Sequence, residues 1–349
     1  MLLFIPIADD RVLPVRDVLK IWLYAALALM TGAWITPVVY NAGKALAEVS
    51  EVKQTNGILE RLANGCRVMQ FPDFYELAIA LAAAFWFMWF FAWLRIGQEA
   101  PTGRGPWKLR LPEGVQFFEK GQRLRKNRMG SLQAASGFLL MTGFLVILGC
   151  ALLEAGSFTW MRPGKGWLQT TAWALAAAWV LAILKELLFR GIALGIFLRA
   201  MPPGVAILLS ALLYAGVHFL LPIGGLTVAD PDVKGVGFEL LAKLAMRFGD
   251  WHALVSDFSV LFAMGLLLAH ARWRTASLWL PIGLQAGWIF AEWIFGRFTV
   301  AVERPDLAAR LLSGQSIQQG LIPLVGVIFT SMLIYFFTDT GKGAASETH

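Results

Sequence analysis

Eight long apolar runs alternate with short polar stretches along the chain, at residues 18–40, 74–94, 134–153, 168–198, 205–221, 253–271, 277–295 and 320–337. Crossing about 30 Å of hydrocarbon takes roughly 20 consecutive, mostly apolar residues in helical form. The runs are continuous rather than alternating, so they predict helices and not the strands of a barrel. Trp and Tyr gather at many run ends, as they do in an interfacial belt. The pattern predicts an all-α fold, a polytopic membrane helix bundle of about eight transmembrane helices. The apolar start, 1–7, is short, has no basic flank in front and runs into Asp9, Asp10 and Arg11. It does not read as a signal peptide. The run at 18–40 is therefore expected to remain as the first span.

Composition supports the same class. Of 349 residues, 58% are hydrophobic and 15% charged, against roughly 45–50% and about 25% in soluble domains. A water-soluble globule of this length is excluded. The two cysteines, Cys66 and Cys150, have no paired spacing that suggests zinc or a redox couple.

The net charge of +7 comes partly from the loop after the second run, which holds Arg95, Arg104, Lys108, Arg110, Lys120, Arg123, Arg125, Lys126 and Arg128. Basic loops stay in the cytoplasm, and an even number of spans then puts both termini there. Such a loop signals topology and contact with anionic lipid rather than nucleic acid. Membrane lipids are the expected partners; nucleic acid is not. Pro101, Gly103, Gly105, Pro106, Pro112 and Gly114 make the same loop the best boundary. The expected division is a two-span N-terminal extension with its basic loop at 1–133, a helical core at 134–338 and a disordered tail at 339–349.

Charges inside an apolar run carry the chemistry, because each costs about 2.5–3.5 kcal/mol at a helix centre on insertion scales. Lys185, Glu186 and Arg190 lie deep within the fourth run. Glu186 and Arg190 are four apart, share a face and can pair; Lys185 points about 100° away from Glu186. Two readings stand: an internal salt bridge that locks a helix, or a buried polar site. In the fifth run His218 comes one turn after Tyr214. It is either hydrogen-bonded to a neighbouring helix or part of a site. In the seventh run Gln285, Ile289 and Glu292 form one stripe. Gln285 in an apolar run implies an interhelical hydrogen bond worth about 0.6–2 kcal/mol. Gly191 and Gly195 are spaced for close helix packing.

These three segments, in this order, resemble the CPBP family of CAAX prenyl proteases and bacteriocin-processing enzymes, also called Abi. Its members are multi-helical intramembrane endopeptidases. The family pattern is Glu-Glu-x-x-x-Arg, then Phe-x-x-x-His, then His-x-x-x-Asn, on separate spans. Here the first reads Lys185-Glu186-Leu187-Leu188-Phe189-Arg190, with Gly191 behind it. The second reads Tyr214-Ala215-Gly216-Val217-His218, and the third falls at Gln285-Ala286-Gly287-Trp288-Ile289. The approach to the third motif, from Gly265 through Arg274-Thr275-Ala276-Ser277-Leu278-Trp279-Leu280-Pro281, is also family-like. The resemblance covers about 134–295.

By that resemblance Glu186, His218, Arg190 and Gln285 are the candidate catalytic residues. Lys185 and Ile289 stand where the family has its first glutamate and its asparagine, and Gln285 stands where it has histidine. In the family the first glutamate activates water. Peptide hydrolysis needs a carboxylate to accept a proton from water and donors for the oxyanion. Lysine cannot accept that proton unless burial strips its charge, Gln285 can still donate, and Ile289 does nothing polar. Glu292, two turns along the stripe, either supplies a compensating carboxylate or snorkels at the span end.

No cofactor is expected, and no metal. Catalytic zinc takes three protein ligands plus water, and only Glu186 and His218 are placed as intramembrane ligands. His252 sits in an outer loop and His270 at the end of the sixth run. The expectation is an endopeptidase homologue of a bacterial cytoplasmic membrane with an incomplete proteolytic site and weak or absent turnover. Its expected substrate is a membrane-anchored or prenylated peptide or protein. The alternative is a non-catalytic scaffold or binder on the same fold. A transporter would use the same charges as a relay, but broken helices in symmetrical halves are not seen.

Overall fold

The computed structural model describes residues 12–52, 57–93, 129–162, 164, 166–222, 228, 230–231, 233, 235–275, 277–302, 312, 314 and 316–337. The basic loop at 95–128 and the tail from 338, which carry the expected topology and the disordered terminus, lie outside the described residues.

The chain is predominantly helical, as its apolar runs require. In order come α1 (Val12–Val52), α2 (Gly57–Val68), α3 (Phe71–Trp93), α4 (Gly130–Glu154) and β1 (Phe158–Trp160). Next are α5 (Trp167–Glu186), a π turn (Leu187–Ala193), α6 (Leu194–Ala200), α7 (Pro203–Phe219) and α8 (Val236–Met246). After a 3-10 turn come α9 (Trp251–Ala253), a second π turn (Leu254–Phe258), α10 (Ser259–Thr275), α11 (Trp279–Phe298), β2 (Thr299–Ala301) and α12 (Leu321–Phe337). Each predicted run falls on helix. Four stretches, Arg16–Val52, Phe71–Phe90, Gly130–Glu154 and Trp251–Thr275, are long and apolar enough to cross a membrane, and Pro203–Phe219 and Leu321–Phe336 are shorter apolar helices. The protein is an all-α integral membrane protein.

Three features go beyond the predicted runs. α2 and α8 are shorter than a span and mix charged with apolar residues, so run-counting passes over them. α8 buries Val236, Gly237, Leu240 and Leu244 and sets a Glu239–Lys243 pair at 2.7 Å on its exposed side. The third is a small antiparallel ribbon that joins β1 to β2 and pairs Thr159 with Val300. It ties the segment after α4 to the end of α11.

The chain forms two compact units. The smaller comprises Arg16–Gln98 and Val217–Trp251. There α1 is 41 residues long, about 60 Å at 1.5 Å per residue and twice the hydrocarbon thickness. α1 and α3 are joined by Tyr24 donating to the Ala83 carbonyl at 2.9 Å and Trp86 donating to Thr31 at 3.0 Å. Lys44 donates to the carbonyls of Cys66, Arg67 and Met69 at the end of α2, where a cation offsets the unpaired carbonyls and the helix dipole. A core of Ala33, Phe71, Tyr75, Ile79, Val236, Leu240 and Leu244 packs α1, α3 and α8 together.

The larger unit comprises Met1–Val15, Glu99–Gly216 and His252–His349. Its organising contact is the crossing of α4 and α11. Lipid tails are as apolar as leucine, so helices in a membrane gain by close approach rather than by hydrophobic burial. Glycines provide that approach here. A methyl group on Gly137 would sit 2.8 Å from the Leu280 carbonyl, one on Gly287 would sit 2.6 Å from the Phe138 carbonyl, and one on Gly283 would run into the Ala134 carbonyl. A second close crossing sets Gly265 of α10 against the backbone of Ala211 in α7. Together these fix α7, α10 and α11 around the π turn after α5.

Gly283→Ala should therefore lower unfolding stability in mixed micelles by about 1–3 kcal/mol, the usual cost of overpacking. Gly143→Ala on α4, where an added methyl meets nothing within 4 Å, should leave it unchanged or slightly raised.

Candidate functional site

Glu186 closes α5, and Arg190 lies within the π turn directly after it. One extra residue in a helical turn rotates the later residues around the axis, and such turns recur at functional sites. Both side chains are completely buried. Arg190 Nη1 donates to Glu186 Oε1 at 2.8 Å. Taking two opposite charges out of water is tolerable only when each is well partnered, and the rest of the site supplies those partners.

Arg190 Nη2 reaches the Gly265 carbonyl at 3.4 Å. That carbonyl comes within reach because the glycine lets α10 press against α7. The guanidinium carbon lies 4.3 Å from the centre of the Tyr214 ring, inside the range for attraction between a cation and an aromatic face. Phe189 meets Tyr214 edge-on at 5.4 Å. The Tyr214 hydroxyl in turn lies 3.3 Å from Gln285 Oε1 and 3.2 Å from Nε2, so it can donate to one or accept from the other. The hydrogen bond expected of Gln285 is thus made to α7. A continuous polar chain runs Glu186–Arg190–Tyr214–Gln285 through α5, the π turn, α7 and α11. Beneath it Ala182, Ile282 and Ala286 form an apolar layer with Phe138 and Trp179.

Among these four side chains, two buried atoms have no hydrogen-bond partner among the described residues: Glu186 Oε2 and Arg190 Nε. Glu186 therefore keeps one acceptor oxygen for a donor brought to it.

The other sequence candidates lie around this chain or apart from it. Lys185 is half-buried and close enough to Glu186 for their charges to act on each other. Ile289 is buried one turn beyond Gln285. Glu292, half-buried two turns along, acts electrostatically on Tyr214. His218 is half-buried one turn past Tyr214 on α7, in the part of the chain that belongs to the smaller unit. His270 meets the rings of Trp273 and Tyr335 at a tilt and takes no part in the polar chain. The larger unit brings together Glu186, Arg190 and Gln285. The link between them, Tyr214, is not singled out by sequence reasoning as a site residue. Its signal is an aromatic with a hydroxyl one turn ahead of the intramembrane histidine.

With this geometry in place, residues 167–291 match the family model described as type II CAAX prenyl endopeptidase Rce1-like. The matched segment runs from the first residue of α5 into α11 and includes Glu186, Arg190, Tyr214, His218, Gln285 and Ile289. The resemblance drawn from the three motifs holds across these helices, and their fold is CAAX-protease-like. No curated protein and no solved structure matches the chain.

Tyr214→Phe removes the hydroxyl and keeps the ring, so it should lower unfolding stability by about 1 kcal/mol, the value of one interhelical hydrogen bond. Tyr214→Leu also removes the face beneath Arg190 and should cost roughly 2 kcal/mol more. Equilibrium unfolding of the three proteins in the same micelles checks the order.

Proposed function

We propose that this chain uses the CAAX-protease-like helices to bind a membrane-anchored or prenylated polypeptide without hydrolysing it at the family's rate. The observation that carries the reading is the engagement of Glu186 by Arg190 at 2.8 Å within a fully buried pair, with Lys185 and Ile289 at two positions where the family has polar catalytic groups. A carboxylate tied to a guanidinium gives up that ion pair when it takes up a proton and strands a buried cation. Gln285 has an amide that can donate and Glu186 Oε2 is an oxygen that can accept, both enclosed by the helices, so a peptide reaches them only once the helices part. Those are groups for binding an amide. A free base beside them is missing among the described residues of the polar chain.

A second reading is favoured by a specific observation. Glu292 is electrostatically coupled to Tyr214, so a carboxylate from α11 stands near the polar chain. In this reading Glu292 or Glu186 activates water and Gln285 supports the oxyanion. Under either reading we place the protein in a bacterial cytoplasmic membrane with both termini in the cytoplasm, on the strength of the basic loop at 95–128.

The test is a cleavage assay on the full chain in proteoliposomes, with prenylated and unprenylated peptides. Wild type should bind the peptides and release no product. Restoring the family residues together, Lys185→Glu, Gln285→His and Ile289→Asn, should raise turnover by about 10²–10⁴-fold, the usual scale of general acid–base catalysis. Product from wild type that vanishes in Glu186→Gln or Glu292→Gln would overturn the binding reading and establish the hydrolytic one.

A further inference from the structure

The last turn of α10 carries a second set of half-buried polar groups, outside the polar chain. Arg274 is fully used: it donates to the Tyr335 carbonyl at 2.8 Å and lies 4.9 Å from the centre of that ring. Arg272, two residues earlier, is not. Its guanidinium makes no hydrogen bond or ion pair with any described residue, and its Nε is closed off from solvent. None of the ion pairs among the described residues includes it. Trp273 Nε1 and His270 Nε2, within the same helical turn, are likewise enclosed without a hydrogen-bond partner among the described residues.

A half-buried guanidinium without a counter-charge is an expensive thing to keep in a membrane protein. Its depth shows what could offset that cost. The apolar stretch Trp251–Thr275 is 25 residues long, about 37 Å, which exceeds the roughly 30 Å hydrocarbon. Centred on that slab the helix overhangs by about 3.5 Å at each end, so Arg272, three residues from its C-terminal end, sits at the boundary between hydrocarbon and headgroups. A guanidinium has planar donors that match phosphate oxygens, and the indole N–H of Trp273 adds one more donor beside it.

We propose that the C-terminal turn of α10 binds the phosphate group of an anionic phospholipid, with Arg272 as the charged donor. The site is separate from the Glu186–Arg190 chain and does not rest on the reading of its function. A free phosphate presents the same oxygens, so the two sources must be told apart.

The test uses the purified full chain and native mass spectrometry to read how much phosphatidylglycerol or phosphatidylcholine stays bound. Wild type should retain phosphatidylglycerol in preference to phosphatidylcholine. Arg272→Gln should lower that retention by about tenfold, the loss of one charge-assisted hydrogen bond. Arg272→Lys keeps the charge and should keep most of it. Arg297→Gln, which changes an exposed arginine in the last turn of α11, should match wild type. Should Arg272→Gln not fold, Arg272→Met, which keeps the apolar stem and removes the charge, makes the same comparison and should show the same loss. Equal retention of the two lipids by wild type, or undiminished retention in Arg272→Gln, would overturn the proposal. Inorganic phosphate that displaces phosphatidylglycerol from wild type and binds in an Arg272-dependent way would overturn the lipid assignment.

Discussion

A carboxylate and a guanidinium, both wholly removed from solvent and one helical turn apart, set the terms for the larger unit. Glu186 and Arg190 cannot be buried separately without a penalty of several kcal/mol each. Their neighbours read as answers to that constraint. Gly265 gives up its side chain so that a backbone carbonyl can come near the guanidinium. Tyr214 lays its ring against the same group and passes the polar contact on to Gln285. The glycines between α4 and α11 hold the helix that carries Gln285 in place. Packing and electrostatics are one problem here: the close crossings that replace hydrophobic burial in a membrane also bring in the partners the charges need.

The same arrangement constrains the chemistry. A base that takes a proton from water must lie within hydrogen-bond reach of that water, and Arg190 already occupies one oxygen of Glu186. In the family this chain resembles, a second carboxylate precedes the paired one; here that position is Lys185. Under the proposed binding reading, the oxygen of Glu186 left open by Arg190 and the Gln285 amide are the groups that contact a peptide backbone. The π turn matters on both counts, since it sets Arg190 back towards Glu186 while re-aiming the residues after it.

Much of this was legible in the sequence. The eight apolar runs became helices because unbroken hydrophobicity over 17 or more residues leaves a membrane chain no other satisfied backbone structure. The Glu186–Arg190 pair could be read from its spacing alone. The interhelical bond of Gln285 was legible as a need but not as a partner: Tyr214 lies 71 residues away in sequence, and only the crossing of α7 and α11 joins them. Gly265 was legible as part of a motif approach, while its carbonyl and its contact with Ala211 depend on how α10 packs. α2, α8 and the β1–β2 ribbon escaped because a search for spans ignores short amphipathic helices and three-residue strands. The π turn left no mark in composition or periodicity.

The buried pair acts as one structural unit on which the polar chain depends. A double-mutant cycle on equilibrium unfolding, with Glu186→Leu, Arg190→Met and the two combined, measures it directly. Each single change should cost about 3–5 kcal/mol by stranding a buried charge, and the double change should recover most of that loss. Single variants as stable as wild type, or losses that simply add in the double variant, would contradict it.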